Sequence, residues 1–67
     1  MFDNMNYYER VYEVEYTWRY MDSEHYYSER RTFSKEIESN KFVLELKDSP
    51  NIEVTWCKQS CYQVWGK

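Results

Sequence analysis

Cys57, Cys61 and His25 belong to the residue types that ligate metals or act as nucleophile and base, so their spacing is the first question. A structural zinc site takes four ligands, usually with cysteines paired at a two-residue spacing. Here three residues separate the cysteines, and the sole histidine lies far upstream. No metal and no other cofactor is expected. The cysteines flank an expected short loop, Lys58-Gln59-Ser60, and would face each other if the strands on either side continue to them. A cross-strand disulfide demands strict geometry. The opening Met1-Phe2-Asp3-Asn4 lacks the basic and apolar segments of a secretory leader, which favours free thiols and a cytoplasmic protein.

Asp22, Ser23 and His25 contain the letters of a hydrolase triad. A working triad is assembled from distant segments that hold nucleophile, base and orienter in fixed geometry. Three neighbours in one exposed turn cannot do this, and they read as solvated turn residues. The single glycine, Gly66, lies at the C-terminal end, so no glycine-rich phosphate loop can form. Glu9, Glu13 and Glu15 could suggest paired carboxylates for glycoside hydrolysis. That chemistry needs a concave site with two different carboxyl environments, and one polar strand face offers neither. No catalytic residue emerges, and the chain is expected to be non-enzymatic.

The elements that carry these residues are legible from periodicity. Over residues 7–21, Tyr8, Tyr12, Val14, Tyr16, Trp18 and Tyr20 alternate with Glu9, Glu13, Glu15, Thr17 and Arg19. This is the pattern of a half-buried strand, long enough to require a bulge or bend. Asp22-Ser23-Glu24 makes a turn. Residues 25–33 return as a charged, edge-tolerant strand with Tyr27, Glu29, Arg31 and Phe33 inward, or else the weaker Tyr26 set. Ser34 then serves as an N-cap, with Ser39, Phe42, Val43 and Leu46 at helical spacing before Pro50 stops the segment. The competing reading makes 41–47 a strand in an all-β meander. Ile52, Val54 and Trp56 alternate in a further strand, and Cys61–Trp65 form the last. The expected fold is α+β, ββαββ, a small antiparallel sheet with one helix packed on one face. Residues 1–67 form one domain, and 1–6 are expected to be a flexible N-terminus.

Composition limits what this domain can do. Sixty-seven residues lie near the lower size limit for a single hydrophobic core. Residues 1–29 hold seven acids against Arg10 and Arg19, and residues 30–67 hold seven bases against five acids, for a net charge of −3. A basic patch for nucleic acid is not the dominant feature, and no apolar run is long enough for a membrane span. An acidic half favours a basic partner surface instead. The chain also carries eight Tyr, three Trp and three Phe, more rings than one thin sheet–helix layer can bury. Tyr and Trp dominate binding hot spots. The leading expectation is therefore a protein-binding module, such as a small acidic inhibitor or adaptor. It would use Glu9, Glu13, Glu15, Arg19, Tyr26 and Trp65 against a basic partner protein. A symmetric homodimer would also suit so small a chain. The alternative is a single-stranded nucleic-acid binder that stacks bases on Tyr and Trp, with Arg30, Arg31 and Lys35 on the phosphates.

Overall fold

The computed structural model describes residues 8–65; the expected flexible segment 1–6 lies outside them. Four elements follow in order: strand β1 (Tyr8–Tyr20), strand β2 (Tyr27–Phe33), helix α1 (Glu36–Lys47) and strand β3 (Ile52–Trp65). The strands form one antiparallel sheet in the order β2-β1-β3. The chain leaves β2, crosses one face of the sheet as α1, and returns on the far side of β1. The α+β class with one helix on an antiparallel sheet stands, and residues 41–47 are helical.

The periodicity of β1 dictates which side the helix takes. Its even-numbered positions meet Phe33, Arg31, Glu29 and Tyr27 of β2, the inward set read from the sequence. Val14 is fully buried, Tyr16 is 4% exposed, and Val43 of the helix completes the core. Trp18, Phe33, Phe42, Leu46, Val54 and Cys57 pack around these three. Phe42 lies 5.5 Å from the Tyr16 ring and 5.4 Å from the Phe33 ring, centroid to centroid. Ser39, Phe42, Val43 and Leu46 therefore form the buried stripe of α1. Ser39 tolerates burial because its hydroxyl donates to the Glu36 carbonyl at 2.9 Å.

Two expectations change. The four-strand ββαββ order becomes ββαβ, because Lys58-Gln59-Ser60 does not form a loop. Those residues stay in the ladder opposite Glu15, Val14 and Glu13. No Gly or Pro interrupts residues 52–65, and the long β1 offers a template along the whole length. Gln59 also gains a helix contact, its amide donating to the Asn40 side-chain oxygen at 2.9 Å. The second change concerns the helix start. Lys35, not Ser34, holds the extended N-cap position, and it makes no side-chain cap bond. Its carbonyl accepts the first amides, from Glu38 and Ser39. Glu36 and Glu38 place negative charge in the first turn, where the helix dipole favours it.

The expected bulge occurs, but on the partner strand. Thr17 pairs with Trp56 and Trp18 with Val54, so Thr55 is the extra residue. Its hydroxyl donates to the Thr17 carbonyl at 3.4 Å. This single insertion separates Trp56 from Ile52 and Val54, with which it shares parity in the sequence. Trp56 leaves by the face opposite the helix.

A core of three buried side chains, only one of them fully enclosed, has little redundancy. Val14→Ala removes two methyl groups and leaves a void, which should cost about 2 kcal/mol. In urea unfolding the midpoint should fall while the slope stays unchanged.

Candidate functional site

Opposite the helix the sheet lies open. Its central feature is an ion-paired cluster, not an acidic stripe. The register puts Glu13 and Glu15 of β1 beside Thr32 and Arg30 of β2 and beside Ser60 and Lys58 of β3. Arg30 Nε donates to Glu13 Oε2 at 3.0 Å, and its Nη2 donates to Glu15 Oε2 at 3.3 Å. The Glu13 side chain is only 11% exposed, so its charge requires this partner. The Glu13 carboxylate, as an acceptor for the Tyr62 hydroxyl, raises the phenol pKa above its ordinary value.

Arg19 has a different task. It holds Glu53 of β3 through Nε and Nη2, at 2.8 and 2.6 Å. Its Nη1 donates to the carbonyl oxygens of Ser23, Met21 and Tyr20. These bonds fix the turn that follows β1. Within the same turn, Ser23 Oγ accepts from the His25 amide at 3.1 Å and so caps local backbone.

The three basic residues proposed for phosphate do not gather. Arg30 and Arg31 leave the strand on opposite faces. Arg31 lies on the helix side, with its guanidinium 4.9 Å from the Phe42 ring centroid and 5.9 Å from that of Phe33. Lys35 stands at the helix start. Among the described residues no group of three His, Cys, Asp or Glu side chains converges as a metal site would. Both cysteines are free. The expected opposition of Cys57 and Cys61 fails within the chain because they share one continuous strand. Four residues of β structure separate them by about 13 Å on the same face.

The aromatic surplus is real. Of the twelve described rings, Tyr8, Tyr20, Tyr26, Tyr27, Trp56, Tyr62 and Trp65 are exposed. Tyr26 and Trp65, the two rings expected at a partner surface, are 60% and 72% exposed, although Trp65 has the helix-side parity of Tyr8, and Tyr62 and Val64 take the open face. Outside the Tyr16–Phe42–Phe33 core contacts, the rings form two contacting groups, and two more stand apart. Trp18 stacks on Tyr27 at 4.9 Å and meets Tyr20 edge-on at the same distance. Tyr8 meets Trp65 edge-on at 5.6 Å, at the end of the β1–β3 ribbon that projects beyond β2. Trp56 and Tyr62 stand on the open face. The exposure of Trp56 was hidden from strict alternation, and only a bulge in β3 reveals it.

No helix among the described residues is long and apolar enough to cross a membrane. The chain matches no protein family, and no curated protein or solved structure is similar to it.

Two measurements check the electrostatics. Arg30→Ala should cost about 1–2 kcal/mol, between the values for exposed and buried pairs, and Glu13→Gln added to it should recover most of the loss. Tyr16 is the second. Burial first, then its hydrogen bond to Glu29 (2.8 Å), raises the phenol pKa above 10.0. The unfolded phenol ionises first, so this contribution holds below pH 10 and disappears as pH rises through the folded value. Alkaline unfolding followed by circular dichroism should be less steep above pH 10 for Tyr16→Phe.

Proposed function

We propose that this chain is a non-enzymatic protein-binding module, a small acidic inhibitor or adaptor that docks an aromatic surface of its sheet on a basic partner protein. The observation that carries this reading is the exposure of seven rings out of twelve on so small a domain. Tyr and Trp give large contact area for little lost side-chain freedom. A net charge of −3 adds long-range attraction to a basic surface.

The anchor is the projecting end of the β1–β3 ribbon. There Trp65 packs against Tyr8, and Val64 lies opposite Glu9 on the other face. Neither α1 nor β2 reaches this end, so its rings have water on several sides. Glu13 and Glu15 support the reading less directly than their sequence pattern implied, because both are already ion-paired with Arg30. Arg19 serves as turn scaffold. Tyr26, 60% exposed, lies next to Tyr27 at the start of β2, at the opposite end of the ribbon, where it can extend a footprint.

The nucleic-acid reading is the weaker one. It shares the exposed rings, but its cations are divided: Arg30 is held by two carboxylates and Arg31 lies over Phe42.

The test is affinity capture from a lysate of the source cell, with the captured proteins identified by mass spectrometry. The wild-type chain should retain a basic protein, and Tyr8→Ala with Trp65→Ala should lose it at least tenfold. Ile37→Ser, on the outer side of the helix, should capture normally. Equal capture by all three would refute the anchor. Salt-sensitive quenching of Trp fluorescence by single-stranded oligonucleotides, without any captured protein, would favour the nucleic-acid reading instead.

A further inference from the structure

The two edges of this sheet are guarded unequally. β2 is seven residues long, and three of them are Glu29, Arg30 and Arg31. Short length and charge are the usual devices against unwanted strand pairing. β3 has fourteen residues, with Glu53 and Lys58 as its only charges and no Pro. Its bulge at Thr55 lies near one end and leaves Trp56–Trp65 as a straight, uninterrupted edge. Within the described chain nothing pairs with that edge, since β3 is the last strand in the β2-β1-β3 order. A row of backbone donors and acceptors along a nearly uncharged strand is a template for another strand.

We infer that a second copy of this chain occupies the β3 edge, pairing antiparallel about a two-fold axis at Gln59 to give a continuous six-stranded sheet. This does not rest on the foreign partner proposed above: the dimer uses the backbone edge of Trp56–Tyr62, and the anchor uses the Tyr8 and Trp65 rings beyond it on the same ribbon.

The register follows from pairing rules. In an antiparallel ladder directly opposed residues share a face, so the axis must pass through a residue and not between two. An axis at Gln59 sets Trp56 opposite Tyr62 of the second copy on the open face, and does so twice. It sets Cys57 opposite Cys61 of the second copy on the helix face, also twice, and Lys58 opposite Ser60. Aromatic pairs opposite each other are among the favourable cross-strand pairs. An axis at Lys58 would bring two ammonium groups together and shorten the bulge-free ladder from 56–62 to 56–60. An axis at Ser60 would set each Lys58 opposite a Tyr62 ring and separate the aromatic pair. The neutral edge also lets two chains of net charge −3 approach without an acid meeting an acid. Because the axis is perpendicular to the sheet, both helices lie on one side. A helix centred over β1 stands three strand spacings, about 14 Å, from its mate. Helices in contact need 8–10 Å, so the two fit without a clash.

Sedimentation of the purified full-length chain should give about twice the 8.5 kDa chain mass. Ser60→Lys would put like charges opposite each other at both Lys58 positions, and should return a folded monomer. Adding Lys58→Glu to that variant turns repulsion into attraction and should restore the dimer, which separates edge pairing from general misfolding. The cysteines report the register. Under copper–phenanthroline and oxygen, two opposed thiols lose two protons and two electrons to the oxidant and form one S–S bond. Wild type should yield a linked dimer, while Cys57→Ser and Cys61→Ser alone should yield none. A mixture of the two variants should link again, through Cys61 of one and Cys57 of the other. A monomer at high micromolar concentration would overturn the inference. Linkage in Cys57→Ser alone would move the axis to Cys61 and overturn the register. Both results would leave capture through Tyr8 and Trp65 untouched.

Discussion

One strand, β1, carries both hydrogen-bonded ladders of this sheet, and every other element is placed by it. Its even-numbered side chains form the floor on which α1 rests, and its odd-numbered side chains form the open face. With only three buried apolar residues, the domain depends on that floor being continuous from Tyr12 to Trp18. The helix spans about 18 Å against roughly 43 Å for the strand. Most of the ribbon therefore has one layer of side chains and no cover. The thinness of the core and the abundance of exposed rings are the same fact, seen from the two sides of β1.

That constraint explains which parts of the fold were legible in the sequence. Strand β1, the inward set of β2 and the buried stripe of α1 each follow from a single period, and each is where alternation or helical spacing places it. The stop at Ser49-Pro50 is equally local. The unity of β3 was not legible, because Lys58-Gln59-Ser60 looks like a polar loop until a partner strand of matching length is present. Pairing to Glu13, Val14 and Glu15 overrides that local appearance. Nor does any residue near Thr55 announce a bulge, since Thr favours strands. One extra residue is enough to send Trp56 to the other face.

Charge was harder to read than hydrophobicity for a related reason. Glu9, Glu13 and Glu15 form a stripe in one dimension, but the ladder brings Arg30 across to two of them. Arg30 and Arg31 look like a basic pair, yet adjacent strand positions point to opposite faces. Each arginine thus answers a different need. Arg30 pairs with carboxylates on the open side, and Arg31 covers Phe42 and Phe33 on the helix side. Arg19, expected at a partner surface, is consumed by Glu53 and the turn carbonyls. Sequence alone identifies such groups as available, and the register decides whether they are.

The distribution of what remains exposed has a pattern of its own. β1 sits between two neighbours, so its rings are largely shielded except at its ends, Tyr8 and Tyr20. β3 has one neighbour, its Trp56, Tyr62 and Val64 lie on the face without a helix, and its Trp65 lies beyond the helix, so all four stay in water. Hydrophobic surface left on an edge strand invites pairing, and most small domains place charge or proline there to prevent it. This chain places its charge on β2 and leaves β3 nearly neutral. An asymmetry of that kind lowers the penalty for adding a strand on one side of the sheet and raises it on the other. The sheet is thereby directional: closed at β2, extensible at β3, and widest in exposed aromatic area where β3 leaves the helix behind.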